Sequence, residues 1–152
     1  MNYSRITDKL YIGTTPKTED YTVLRELEVK LVINMRIGLP PRRDRHSIPI
    51  RSLWLPAIDS PLFPIPLSFL EAGAEEALKV MESGGAVYTH CAKGRHRGPA
   101  MGACILIAQG FTPEEAMRLI KARRPTADPQ AWYIQRRIIK FADMWELEQN
   151  RF

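Results

Sequence analysis

Two cysteines in 152 residues, Cys91 and Cys104, are too few for a disulfide framework, so a reducing, cytoplasmic setting is expected. No apolar run approaches the roughly 20 residues that carry a helix across a bilayer. The opening Met1-Asn2-Tyr3-Ser4-Arg5 leads into no apolar stretch and no small-residue cleavage site, so a secretory leader is not expected. Internal repeats, low-complexity tracts and dividing linkers are also missing, and the expectation is one domain over 1-152. No Cys-x-x-Cys and no His pair at ligand spacing supports a metal site around His90, Cys91 and His96. Neither a metal nor an organic cofactor is expected.

What is abundant is positive charge. Twenty-two Lys and Arg against seventeen Asp and Glu leave a net +5. The excess is clustered. Five arginines lie between Arg36 and Arg51 with Asp44 as the one acid, and seven basic residues lie between Met117 and Phe141 with only Asp128 against them. Such faces steer anionic partners, although each single arginine reads as a solvated side chain.

Short apolar runs alternate with helical periodicity. Leu10-Tyr11-Ile12, Leu31-Val32-Ile33, the stretch around Ile50 to Trp54, and Ala86-Val87-Tyr88-Thr89 read as strands. Thr18 reads as the cap of a helix carrying Tyr21, Leu24 and Leu27 inward. Leu55 to Pro66 holds four prolines and reads as irregular loop. Ser68 and Glu71 have capping-box spacing ahead of Leu70, Ala74, Leu78 and Met81, and Gly84-Gly85 stops that helix. An apolar helix from about Pro99 to Gln109 follows. Another begins at Thr112-Pro113, and the last is expected to open at Asp128-Pro129 with Ile134, Ile138, Phe141 and Trp145 on one face. The alternation implies an α/β class with a largely parallel central sheet flanked by helices, whose ligands sit beyond the carboxyl ends of the strands.

Cys91 follows such an end. The segment His90-Cys91-Ala92-Lys93-Gly94-Arg95-His96-Arg97 delivers a cysteine from a strand into a short loop that opens onto a helix. An anion held there meets successive backbone N–H groups and the positive end of the helix dipole. Gly94 permits the turn, and Arg97 offers a planar fork for two oxygens. A field of this kind favours the nucleophilic form of a thiol. Ala92, Lys93, Gly94, Arg95, His96 and Arg97 are therefore the candidate phosphate-binding residues. Cys104, in an apolar helix, reads as packing.

The pattern H-C-x-x-G-x-x-R between a buried strand and an apolar helix resembles the signature of the protein tyrosine and dual-specificity phosphatases. Ile6-Thr7-Asp8-Lys9-Leu10-Tyr11-Ile12-Gly13 is similar to the first strand of their small members, and Val32-Ile33-Asn34-Met35 to their second core strand. Asp59, on a proline-containing loop thirty-two residues before Cys91, is similarly placed to their general acid. The resemblance implies a protein-tyrosine-phosphatase-like three-layer domain. It assigns Cys91 as nucleophile, Arg97 as phosphate-binding residue and Asp59 as acid and base, with His90 orienting the loop. Phosphorylated proteins are the first implied substrates. Phosphoinositides and RNA 5′ ends are alternatives on the same site, nucleic acid entering only as a phosphorylated substrate.

One position departs from the family. Most relatives carry Ser or Thr after the arginine, where this chain has Gly98 followed by Pro99. Arg-Gly-Pro resembles the rhodanese-like cell-cycle phosphatases instead. A sulfurtransferase and a phosphate-binding pseudoenzyme therefore stand as alternatives of another class.

Overall fold

The computed structural model describes residues 1–150. Its strands are β1 (Tyr3–Thr7), β2 (Leu10–Gly13), β3 (Val29–Arg36), β4 (Arg51–Ala57) and β5 (Ala86–His90). The helices are α1 (Tyr21–Glu26), α2 (Leu67–Glu82), α3 (Arg97–Ala108), α4 (Pro113–Arg123) and α5 (Trp132–Gln149). The sheet order is β1-β2-β5-β3-β4. β2, β5, β3 and β4 run parallel and β1 pairs antiparallel with β2 at one edge.

Three layers result. On one face Leu31, Ile33, Met35 and Val87 pack under α2, α3, α4 and α5, with α3 at the centre. On the other, Tyr11, Val32 and Tyr88 pack with Tyr21 and Leu24 of α1. β3 and β5 are apolar on both faces because both faces are covered, so their sequence shows an unbroken run. Asn34, Thr89 and His90, at the carboxyl ends of these two strands, are the buried polar exceptions. The ends of β2, β5, β3 and β4 gather at one edge, which places Cys91 among them. Among the described residues no helix is long and apolar enough to cross a membrane.

Several boundaries differ from the sequence reading. β1 was not anticipated. β4 continues through Leu55 and Pro56 to Ala57, so the irregular loop starts later than expected. Proline is tolerated there because β4 is an edge strand, where a missing N–H costs no ladder bond. The helix expected from Thr18 begins as a 3-10 turn over Thr18–Asp20, capped by Asp20, whose Oδ2 accepts from the Lys17 N–H at 2.7 Å. α2 starts at Leu67 with Pro66 at its cap, so Ser68 and Glu71 form no capping box. Proline at φ −57° already supplies the entry conformation, and its carbonyl accepts from Phe69 and Leu70. The Thr112–Glu115 box at α4 is present in both directions. α3 begins two residues early, at Arg97, which puts that arginine in its first turn.

α5 starts at Trp132 rather than at Asp128. Asp128 caps nothing. Its backbone N–H donates to the Arg95 carbonyl at 2.8 Å, tying the segment to the loop after Cys91.

Candidate active site

The loop after β5 is held from behind. Thr89 Oγ1 donates to the Gly98 carbonyl at 2.9 Å, closing the loop on itself. Thr15 Oγ1 donates to the Cys91 carbonyl at 3.2 Å and accepts from Arg36 Nη1 at 3.2 Å, linking the ends of β2 and β3 to the cysteine. Tyr88 Oη donates to the Thr14 carbonyl at 2.6 Å. His90 is buried, and its Nδ1 lies 3.4 Å from the Cys91 carbonyl oxygen, which can only accept. Burial lowers its pKa to about 4 against a small opposing effect of that bond, so the ring is neutral near pH 7.

Gly94 has φ +64°, the left-handed region. A Cβ there would fall 2.6 Å from Arg124 Nη2 and 2.8 Å from the Gly13 carbonyl oxygen. Both the conformation and the space require glycine.

Arg124 itself was not singled out in the sequence, and the expectation that each arginine of its cluster is solvated fails for it. Only 3% of it is exposed. Nε donates to the Gly94 carbonyl at 2.8 Å and Nη2 to the Lys93 carbonyl at 3.2 Å. Nη1 donates to Asn2 Oδ1 at 2.9 Å and Ser4 Oγ at 3.1 Å. The guanidinium bolts the loop to β1. The sequence offered one faint signal: Arg124 follows the last turn of α4, where chain direction changes before Pro125. Asp44 was also missed. It is a buried carboxylate that accepts from Ile50 N–H at 2.7 Å and Arg25 Nη2 at 2.6 Å, and lies 2.7 Å from His46 Nδ1. His46 is therefore half-exposed and paired rather than freely solvated.

Cys91, Ala92, Lys93, Arg95, His96, Arg97 and Asp59 line one cleft of about 300 Å³, at the lower end for ligand sites, roughly 300–1,000 Å³. Cys91 and Arg97 are buried in its floor, whereas Lys93 and Arg95 are exposed at its rim. Arg97 Nη1 donates to the Ala57 carbonyl at 2.8 Å, joining the floor to the root of the Asp59 loop. Its Nε–H is buried without a protein partner. Cys104 lies on α3 away from this cleft, fully buried, and burial pushes its thiol well above the ordinary value.

Asp59 reaches across the cleft. Tyr133 Oη donates to Oδ1 at 2.7 Å, and His96 Nδ1 lies 3.0 Å from Oδ2. Partial burial opposes the charge. The bonds from Tyr133 and His96 and the charges of His96 and Arg97 outweigh it, so the carboxyl is held below its ordinary value. Tyr133, desolvated and bonded to that carboxylate, is pushed up to about 12 and stays a donor. Nothing in the sequence pairs residues 59, 96 and 133.

Comparisons with known proteins address the family and the fold. The model for the dual specificity phosphatase catalytic domain matches residues 10–143. Tyrosine-protein phosphatase vhp-1 of Caenorhabditis elegans is 28% identical over 131 residues, 82% of this chain. The match spans only 19% of that relative's length. The crystal structure of human DUSP28 superposes with a TM-score of 0.84 at 21% identity, covering 95% of this chain and 95% of that one. PTPMT1 in complex with PI(5)P gives 0.81 at 24% identity, with 97% and 98% covered. At such identities the structures establish the fold, and the family model establishes the lineage: the chain belongs to the dual-specificity phosphatase catalytic domain family.

Proposed function

We propose that this chain hydrolyses phosphomonoesters through a cysteinyl-phosphate on Cys91, with phosphorylated tyrosine, serine or threonine of proteins as the substrate class. The observation that carries the reading is Arg97. Its Nε–H is buried without a protein partner in the floor of the cleft that Cys91 lines, where an anion would complete its bonding. Nη1 is committed to Ala57, so Nε–H and the second amino group remain for two phosphate oxygens.

The Cys91 thiolate attacks phosphorus in line as the bond to the leaving oxygen breaks. Arg97 and the backbone N–H groups of the loop hold the equatorial oxygens. Asp59, protonated, gives its proton to the leaving oxygen. Water then attacks phosphorus of the cysteinyl-phosphate, gives its proton to Asp59 acting as base, and the S–P bond breaks with its electron pair returning to Cys91 as thiolate. His90, neutral and bonded toward the Cys91 carbonyl, orients the loop.

The test is phosphate release from an aryl phosphate, compared with Cys91→Ser. Serine keeps the shape but does not ionise usefully, so turnover is lost while inorganic phosphate still binds. Undiminished hydrolysis by Cys91→Ser refutes the reading. Sulfur transfer from thiosulfate to cyanide would assign the chain to the sulfurtransferase alternative. Exposed Lys93 and Arg95 favour polyanionic substrates as the second reading, and a panel of phosphopeptide, phosphoinositide and RNA 5′-phosphate separates them.

A further inference from the structure

We propose that a second anion site lies beside the catalytic cleft and takes an acidic side chain of the substrate protein, a few residues along its chain from the phosphorylated one. The inference rests on the phosphatase reading above and adds what is read around the phosphoryl group. Pro61 and Pro64 form one wall of a cavity of about 160 Å³, and Trp132, Arg136, Arg137 and Lys140 of α5 form the others. Ligand sites run to roughly 300–1,000 Å³, so this one has room for a side chain rather than a whole ligand. It adjoins the cleft. Tyr133 also lines it, and the same side chain donates through Oη to Asp59 Oδ1 at 2.7 Å. Pro61 stands two residues after Asp59. The Asp59 loop and Tyr133 are therefore a wall common to both sites.

The lining is cationic and uncompensated. No Asp or Glu borders the cavity, and among the described residues Arg136, Arg137 and Lys140 join no ion pair. Arg137 is the fixed member. It is half-buried, and its Nε donates to the Ile65 carbonyl at 2.9 Å, while its amino groups meet no protein partner among the described residues. A guanidinium pinned in this way keeps donors for a carboxylate and loses little rotamer freedom in taking one. Trp132, Arg136 and Lys140 follow at intervals of four and so share one face of α5. A lone exposed cation contributes little. Here three converge on a cavity whose aromatic and proline walls exclude part of the water, which strengthens their pull on an anion.

The opposite wall is prebuilt. Phe63 N–H donates to the Ser60 carbonyl at 3.2 Å and Leu62 N–H to Ser60 Oγ at 3.2 Å, closing the turn between the two prolines. Leu62 and Phe63 stand exposed at its tip, so an anionic bilayer is the competing partner for this face. The cavity favours a discrete side chain, because a flat bilayer surface would leave it empty. Reach sets the register. At a rise of about 1.5 Å per residue, Arg136 and Lys140 lie roughly 4.5 and 10.5 Å along α5 beyond Tyr133. An extended peptide covers about 3.3 Å per residue, so an acid about two to four positions from the phosphorylated residue arrives there. The cavity lies on one side of the cleft, so acids on one flank only are read.

The test uses monophosphorylated peptides that carry a pair of glutamates on the N-terminal flank, on the C-terminal flank, or not at all. The unmodified protein is expected to favour one flank by about tenfold in kcat/KM, with the difference in KM. Arg136→Glu/Lys140→Glu is expected to lose that preference and to gain on a peptide with lysines in the same flank. An aryl phosphate has no flank, so its unchanged hydrolysis by this variant reports intact folding and chemistry. Arg5→Glu/Arg118→Glu makes the same change of net charge on β1 and α4 and is expected to keep the preference. Equal rates for both flanks in the unmodified protein overturn the proposal. So does an equal loss in the two double variants, which would assign the effect to the general field of a +5 chain. A preference that survives Arg136→Glu/Lys140→Glu overturns it as well. Should those substitutions abolish sedimentation with phosphatidylserine vesicles and leave the peptides untouched, the face serves a bilayer and the proposal fails. Failure of the phosphatase reading would show separately, as undiminished aryl phosphate hydrolysis by Cys91→Ser.

Discussion

Arg124→Met removes a guanidinium while keeping an apolar stem of similar length, and it tests whether the phosphate loop is held from outside itself. Four hydrogen bonds are lost. Those to the Gly94 and Lys93 carbonyls matter most, because they hold the loop backbone itself. A bond from a charged donor contributes about 1.5–3 kcal/mol, and an orphaned buried acceptor costs about 1–3 kcal/mol. Against this, the wild-type protein bears the desolvation of Arg124, which methionine relieves. The net expectation is a loss of about 2–4 kcal/mol. For a chain of this size, at roughly 2–4 °C per kcal/mol, that lowers the thermal midpoint by about 5–15 °C. Arg124→Lys falls between, since a point donor can satisfy one carbonyl but not the fork. Because the freed carbonyls belong to the loop proposed to hold the anion, inhibition by inorganic phosphate is expected to weaken by at least about tenfold, roughly 1.4 kcal/mol. Calorimetry and phosphate inhibition on the purified variants measure both quantities. A midpoint within about 2 °C of wild type together with unchanged phosphate affinity would refute the argument.

Two further expectations follow from the same loop. Gly98 has no left-handed φ, but a Cβ there would meet His90 Cα at 3.3 Å and Cys91 N at 3.4 Å. Gly98→Ala is expected to slow turnover by crowding the cysteine. Gly98→Ser, equally crowded but with a hydroxyl near the departing thiolate, is expected to give a faster steady rate than Ala after the burst of leaving group. Equal steady rates in rapid-quench assays would remove any role for the hydroxyl. His90 titrates near 6.5 when unfolded and about 4 when folded. The ring is neutral in both states at pH 7. Between those values only the unfolded chain takes up the proton, so stability falls with pH, by up to about 3 kcal/mol near pH 4. Urea midpoints from pH 7 to 4 follow this slope in the wild type and flatten in His90→Asn. Parallel curves would contradict the assignment.

The strands and their polarity were legible because burial on both faces leaves an unbroken apolar run, as at Leu31-Val32-Ile33, and no fold is needed to see it. The candidate nucleophile, the glycine turn and the arginine were legible for a related reason. They lie close together in one short segment, so their geometry is local to one strand-loop-helix junction. Asp59 was reached only through resemblance, since its meeting with Cys91 depends on β4 and β5 both ending at the same edge of the sheet.

What stayed hidden is long-range. Arg124 looks like any basic residue near a helix end until the fold brings it against Gly94, thirty residues away in the chain. Asp128 followed by Pro129 carries a sound capping signal, yet its N–H is taken by the Arg95 carbonyl and the helix starts later. His96 read as one of the candidate phosphate-binding residues of the loop, and its partners Asp59 and Tyr133 each lie thirty-seven residues off in opposite directions. Sequence alone determined the chemistry proposed for this protein, because a candidate nucleophile and its candidate anion cradle are built from neighbours. The electrostatic setting of Asp59, the candidate acid, was decided by tertiary structure alone, because a pKa is set by whichever charges and donors the fold places within a few ångströms.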